Sequence, residues 1–179
     1  MRLIEDGSYG DNMMKLMVSQ NAPFVPMFDA WRADSRAMLP YPADKARRDV
    51  AIIDAKVLSN RRPPYGIKGG LYDALKATDG EILVATNAQA RKAAKLFQQL
   101  EGVDIHPAAA VATATLIKAV QDGKIDSEAT VMLNITGAGE ERFKSEHKVY
   151  TLEPSKVFPL TASADEVIEA VEALFAEKE

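Results

Sequence analysis

A short apolar run that ends in a Gly-x-Gly turn constrains this chain more than any other stretch. Residues 131–135 are mostly branched or apolar, and Thr136 then precedes Gly137 and Gly139. This pattern predicts a strand buried on both faces, as in a parallel sheet. Open α/β folds bind ligands beyond the carboxyl ends of their strands, so Thr136 lies where a ligand is expected. The plain alternative is a strand end whose hydroxyl caps the next segment.

Strand-like and helix-like segments alternate along the chain without an internal repeat. Strands are predicted at residues 15–20, 81–85, 131–135 and 149–152, and helices at residues 1–10, 24–33, 70–76, 86–100, 107–121 and after Ser163. The alternation predicts an α/β fold of three layers, in which helices cover both faces of a mainly parallel sheet. We expect one α/β unit over residues 1–179. Residues 34–50, rich in proline and charge, predict an exposed loop or lid.

Two local signals indicate where helices begin. Thr86 and Gln89 form a capping-box pattern, and so do Ser163 and Glu166. A helix that starts at the first residue has no start signal ahead of it, so we expect the chain to be part of a longer protein.

Composition excludes several classes of function. The chain has 179 residues, of which 47% are hydrophobic, and a formal net charge of -4, which argues against nucleic-acid binding by bulk charge. No apolar run is long enough for a membrane span, and the N-terminus lacks the apolar core of a signal peptide, so we expect a cytoplasmic protein. The chain has no cysteine and only two histidines, which excludes thiolate chemistry and argues against a metal site.

Paired arginines provide a candidate anion-binding loop. Arg61 and Arg62 follow Ser59 and Asn60 and precede two prolines that restrain the backbone. Adjacent guanidinium groups in a restrained loop could grip phosphate, sulfonate or carboxylate. Paired arginines that are simply solvated are the alternative.

Four segments together resemble a known family. They are residues 18–26, 58–65, 104–110 and 133–143. In this order they resemble the C-terminal part of fold-type II pyridoxal-phosphate enzymes of the threonine synthase group, and most of all the cysteate synthases of methanogenic archaea. The resemblance implies the C-terminal portion of the tryptophan synthase β-like fold.

The resemblance also implies a cofactor site and a reaction. The pyridine nitrogen of pyridoxal 5'-phosphate would meet the Thr136 hydroxyl, with Gly137 and His106 beside the cofactor. A neutral hydroxyl partner leaves the ring a weaker electron sink, which suits replacement at the β or γ carbon. By analogy, sulfite would replace the phosphate of O-phospho-L-serine and give L-cysteate, on the route to coenzyme M.

The reaction implied by the resemblance indicates which residues would contact the substrate. The leaving group and the nucleophile are both anions, so the site needs positive charge nearby. Arg61 and Arg62 are the first candidates, and Arg142 and Lys144 the second. The predicted substrate-binding residues are Asn21, Ser59, Asn60, Arg61 and Arg62.

Two positions depart from the family pattern. His106 stands where threonine synthases carry glutamate, which fits cysteate synthase better; it is either a cofactor neighbour or a hydrogen-bonded end residue. The Schiff-base lysine of the family is not found, because Lys45 resembles its motif only superficially and lies in a charged segment. We therefore expect that lysine upstream, no catalytic residue in this chain, no metal, and no activity or retained cofactor in the chain alone.

Two other functions remain open from the sequence. One is threonine synthase activity on O-phosphohomoserine. The other is a non-catalytic module that binds an anion or associates with itself. Removing part of a layered fold uncovers apolar faces, so we expect a homodimer or a higher assembly, and neither a nucleic acid nor a membrane as partner.

Overall fold

The structure is a computed structural model that describes residues 2–176. It divides into two compact units, Met1–Phe143 and Lys144–Glu179. In the described residues the helices are α1 (Arg2–Glu5), α2 (Pro26–Arg32), α3 (Ala43–Ile52), α4 (Leu71–Ala77), α5 (Asn87–Glu101), α6 (Pro107–Gln121), α7 (Glu140–Glu146) and α8 (Ala164–Ala176), with a short 3-10 turn at Lys56–Leu58.

The first unit is built on a small parallel sheet. Strand β1 (Met17–Ala22) pairs with strand β2 (Glu81–Thr86), and the register runs from Met17 opposite Glu81 to Ala22 opposite Thr86. Both strands were predicted within two residues. Since the strands are parallel, their carboxyl ends lie at the same edge of the sheet.

Helices pack on both faces of this sheet. Ile82 of β2 packs with Ala30 of α2 and Leu75 of α4 in one buried cluster. Ala85, three residues further along β2, packs with α5 and α6 in another cluster that includes Val111. Alternate residues of a strand face opposite sides, so the two clusters lie on opposite faces. The predicted α/β fold with a parallel sheet is confirmed for the described residues.

Two predicted strands do not form. Residues 131–135 and 149–152 adopt no strand structure, and Met132 and Leu152 are 88% and 94% exposed. A strand exists through its hydrogen-bonded neighbour, and within residues 2–176 neither segment has one; the nearest bridge, between Ile105 and Ala138, lies after the first segment. The apolar pattern was recognised correctly, but the prediction that it forms a strand is wrong for this structure.

The segment at residues 34–50 is not entirely a loop. Its second part forms α3, which begins directly after Pro42, and Ala46 packs with Phe24 and Ile53 in a third buried cluster. Proline just ahead of a helix is a start signal, and the density of charges concealed it. Whether the segment acts as a lid stays a prediction.

Both predicted capping boxes are present. The Thr86 hydroxyl accepts a hydrogen bond from the Gln89 amide at 3.3 Å, and the Gln89 side chain accepts one from the Thr86 amide at 2.8 Å. In the second unit the Glu166 amide donates to the Ser163 hydroxyl at 3.2 Å, and the Ser163 amide donates to the Glu166 carboxylate at 2.7 Å. These reciprocal bonds satisfy amides that a helix start leaves without intrahelical partners.

Candidate active site

One hydrophobic cluster gathers the three segments that carry most of the predicted site. Leu58, Ile105 and Ile135 all pack against the cluster that α5 and α6 form on one face of the sheet. Each of the three is followed directly in sequence by a predicted site residue. Burial of these neighbours therefore brings the three predicted loops to one region of the first unit.

Backbone hydrogen bonds join two of these loops. The His106 amide donates to the Gly137 carbonyl at 2.8 Å, and the Gly139 amide donates to the Asp104 carbonyl at 2.8 Å. These two bonds flank the antiparallel bridge between Ile105 and Ala138. The structure thus brings the predicted cofactor residues His106 and Gly137 together across 31 positions of sequence.

The imidazole of His106 lies directly on Gly137. A Cβ atom at position 137 would be 2.5 Å from His106 Nδ1, closer than real Cβ contacts. His106 Nε2 is 3.1 Å from the Glu140 carboxylate. His106 therefore has hydrogen-bonded partners through both its backbone and its partly exposed ring, and its role as a cofactor neighbour stays a prediction.

The Thr136 hydroxyl is available for a ligand. Thr136 is exposed, and within residues 2–176 its hydroxyl has no hydrogen-bond partner. Its neighbours hold its backbone, since Ile135 packs into the cluster and Gly137 is bonded to His106. A hydroxyl both donates and accepts, so it fits the pyridine nitrogen of pyridoxal phosphate.

Asp104 holds the start of α7 beside this turn. Its carboxylate accepts a hydrogen bond from the Glu141 amide at 3.1 Å. That backbone hydrogen bond lowers the pKa of the Asp104 carboxyl. The second-choice cations, Arg142 and Lys144, both lie on α7.

The paired arginines lie on an exposed loop that leaves the same cluster. Neither Arg61 nor Arg62 has an ion-pair partner among the described residues. The Arg62 amide donates to the Asn60 side-chain oxygen at 2.9 Å, and half-buried Ser59 ends the short turn before it. Both guanidinium groups are therefore uncommitted within the part of the chain that the structure describes.

Asn21 is placed differently from the other predicted substrate contacts. It is 1% exposed, and its amide contacts the Ala85 carbonyl, the Asn87 side chain and the Ala55 amide. Sequence reasoning missed Asn87. It follows a buried strand at the carboxyl edge of the sheet, the same signal that singled out Thr136.

Lys45 is engaged elsewhere. Its amine is 2.5 Å from the Asp49 carboxylate and 2.7 Å from the Tyr41 hydroxyl. The hydrogen bond to Asp49 raises the pKa of the Lys45 amine. A protonated, ion-paired amine does not suit a Schiff base, so Lys45 is a poor candidate for that role.

The described residues contain neither a membrane-spanning helix nor a cluster of metal-binding side chains. Over residues 2–176, no helix combines the length and apolarity that crossing a bilayer requires. The same residues contain no group of three or more histidine, aspartate or glutamate side chains able to hold a metal ion.

The fold and these loops define an α/β protein with a candidate ligand site on the segments that meet beside α6. The chain is 46% identical over 155 residues to the cysteate synthase of Methanosarcina barkeri, an alignment that covers 86% of this chain. It is 42% identical over 168 residues to that of Methanosarcina mazei and 40% identical over 180 residues to that of Methanoculleus marisnigri, covering 93% and 99% of this chain. No family model matches the chain. The resemblance to the cysteate synthases is thereby confirmed.

The similarity involves only part of each relative. The alignments cover 37%, 39% and 42% of the lengths of these three cysteate synthases. The chain therefore corresponds to less than half of such an enzyme, and the activity of the whole enzyme is a matter for proposal.

Proposed function

We propose that this chain is the portion of a pyridoxal-phosphate-dependent cysteate synthase that contacts the cofactor nitrogen and binds the substrate anion. The observation that carries the proposal is the similarity of 40–46% to cysteate synthases over most of the chain. The unpaired hydroxyl of Thr136 supports it, because Thr136 directly precedes Gly137, which contacts His106, and a hydroxyl can bond the cofactor nitrogen.

Thr136, Gly137 and His106 would form the part of the site that holds the cofactor. When bound, the cofactor supplies the electron sink for replacement at the β carbon. Thr136 holds the ring nitrogen by a hydrogen bond without adding a charge. Gly137 would let the backbone lie close to the cofactor ring. His106 fixes the turn, because its backbone amide donates to the Gly137 carbonyl.

The arginine loop binds the anions in this proposal. In the net reaction, the bond from the β carbon to the phosphate oxygen breaks and a bond to the sulfur of sulfite forms. O-phospho-L-serine and sulfite thus give L-cysteate and phosphate. Arg61 and Arg62 would stabilise the departing phosphate and the arriving sulfite, with Ser59 and Asn60 donating hydrogen bonds.

The chain alone is proposed to be inactive and not to retain the cofactor, because Lys45, whose surrounding sequence resembles the lysine motif, is paired with Asp49. The whole enzyme would act in the cytoplasm, as a homodimer or a higher assembly. The fold-type II architecture is part of the same proposal.

A chimera tests the proposal. This chain replaces the aligned segment of the Methanosarcina barkeri cysteate synthase, and L-cysteate formation from O-phosphoserine and sulfite is measured. We expect activity that Thr136→Ser retains and that Thr136→Ala lowers by at least about tenfold, since a single site hydrogen bond is worth that much. A folded chimera without activity, or one that accepts only O-phosphohomoserine, would contradict the proposal.

A further inference from the structure

Two asparagines, the buried Asn21 and the half-buried Asn87, connect the carboxyl edge of the sheet to the chain segment that leads into the arginine loop. Asn21 is the penultimate residue of β1, and Asn87 is the first residue of α5, directly after β2. The Asn21 Nδ2 donates to the Asn87 Oδ1 at 3.0 Å and to the Ala85 carbonyl at 3.1 Å. The two side chains therefore join the ends of the two strands.

The same pair holds the segment at residues 52–55. The Ala55 amide donates to Asn21 Oδ1 at 3.1 Å, and the Asp54 amide donates to Asn87 Oδ1 at 3.0 Å. Asn87 Nδ2 donates to the Ile52 carbonyl at 2.8 Å. Three backbone groups within four residues are thus fixed by two side chains.

The contacts leave Asn21 no free donor for a ligand. A side-chain amide has two N–H donors, and the Asn21 donors are used by the Ala85 carbonyl and Asn87. With 1% of its surface exposed, Asn21 is enclosed by protein. A direct contact with substrate would require breaking these bonds at a buried site, which is costly.

The clamped segment leads directly to the proposed anion site. After Ala55, the turn at Lys56–Leu58 packs Leu58 into the cluster around α6, and residues 59–62 follow. Asp54 is also paired with Arg91 of α5, at 2.6 and 2.8 Å. The position of the arginines thus depends on where residues 52–58 are held.

We propose that Asn21 and Asn87 are positioning residues that hold the loop carrying Arg61 and Arg62, rather than residues that touch substrate. This inference rests on the proposed function for the role of the loop in anion binding. The hydrogen bonds that hold residues 52–55 are a property of this chain alone. Its test therefore has one structural measurement and one binding measurement.

The structural measurement uses the full chain. Asn21→Ala removes the acceptor of the Ala55 amide, and Asn87→Ala removes that of the Asp54 amide. We expect the released amide to exchange with solvent at least about tenfold faster in each variant. Trypsin should cleave the Arg61–Arg62 bond faster in both variants. Asn87→Asp keeps the two accepted bonds and loses only the one donated to Ile52, so its effect should be smaller.

Ser19→Ala is the matched control. It removes a partly buried hydrogen bond of 2.6 Å between β1 and Thr115 of α6, and the Ser19 side chain forms no hydrogen bond with residues 52–62. Its thermal stability should fall, while exchange at Ala55 and cleavage at Arg61 stay within about twofold of the original chain, because the hydrogen bonds that Asn21 and Asn87 form with residues 55 and 54 remain in place.

The binding measurement is titration of the full chain with O-phosphoserine. Affinity should fall at least about fivefold in the two alanine variants and not in Ser19→Ala, since misplaced charges lose aligned contacts. Unchanged exchange and cleavage in the asparagine variants, or equal changes in Ser19→Ala, would overturn the positioning role. If the original chain does not bind O-phosphoserine, the proposed anion site fails, while exchange and cleavage still decide the hold.

Discussion

Gly137 lies so close to the ring of His106 that no larger residue fits there. An alanine Cβ would be 2.5 Å from Nδ1, so the ring would have to move and its 3.1 Å contact with Glu140 would be lost. We expect Gly137→Ala to lower the free energy of unfolding by about 1–3 kcal/mol, the usual cost of overpacking. Urea denaturation of the full chain measures this change.

A second substitution separates this clash from general damage. His106→Ala removes the ring, so Gly137→Ala should cost less in that background than in the original chain. Gly139→Ala is the comparison, because its cost comes from a positive φ of 76° and its Cβ would meet Val103 only at 3.6 Å. His106→Ala should not reduce that cost. Equal losses of unfolding free energy for Gly137→Ala in both backgrounds would refute the close contact between the His106 ring and Gly137.

Lys45 provides a second prediction for a single side chain. Because the hydrogen bond to Asp49 raises the pKa of the Lys45 amine, less of it is uncharged at pH 8 than for an ordinary lysine. Pyridoxal phosphate with borohydride should therefore label Lys45 more slowly than Lys92, which is exposed and forms no ion pair in the described residues. Peptide mass spectrometry reads both sites.

The Asp49→Asn variant is the control for this labelling. It removes the charge that holds the proton on Lys45, so labelling of Lys45 should rise toward that of Lys92. A lasting adduct confined to Lys45 in the original chain would instead show that this lysine can hold the cofactor, contrary to the prediction.

The ion pair between Asp54 and Arg91 fastens α5 to the segment before the arginine loop. The hydrogen bond from Arg91 lowers the pKa of Asp54. A carboxyl whose pKa falls on folding stabilises the protein at pH values above its unfolded pKa, near 4, and this stabilisation disappears as pH falls through the folded pKa. The contribution is therefore present at pH 7 and lost in acid.

Arg91→Ala exposes this dependence. Because the Arg91 side chain is 71% exposed, we expect the variant to lose only a small part of the unfolding free energy at pH 7. The difference from the original chain should stay constant down to about pH 5 and shrink below pH 4. Urea titrations across this range measure it, and a difference that grows in acid would contradict the assignment.

The elements that the sequence predicted well carry their signals locally. Helix α5 has its capping box at Thr86 and a left-handed Gly102 at its end, and α6 begins at Pro107. The segment at residues 131–135 has an equally clear apolar pattern but no strand, because a strand depends on a neighbour that local sequence does not specify. Helix α3 was missed because charges and prolines suggested a loop.

Across the whole first unit, the candidate site was only partly foreseeable. His106 and Gly137 were singled out separately, and the structure joins them by a backbone bond that no local pattern encodes. Asn21 was recognised as important, but its burial depends on Ala55 and Asn87, which are 34 and 66 positions away. Residue types can thus indicate the chemistry of a site, whereas long-range contacts decide which residues touch a ligand.

The second unit leads to a prediction about association of the molecule. In residues 144–176 no side chain is buried, and the apolar residues Ile168, Val171 and Phe175 of α8 form one exposed stripe at helical spacing. Exposed apolar patches of this kind favour binding to another surface. We expect the chain to sediment as a dimer or a larger species at micromolar concentration.

Substitutions on the two sides of α8 test whether this stripe drives the association. Ile168→Lys and Phe175→Lys should shift the sedimentation toward the monomer, because each places a charge where apolar contact is required. Glu169→Lys lies on the same helix but outside the stripe, so it should leave the distribution unchanged. It raises the net charge by two, whereas each apolar-to-lysine substitution raises it by one. A monomeric original chain would refute the association, and equal effects of all three variants would show that charge, rather than the apolar stripe, controls it.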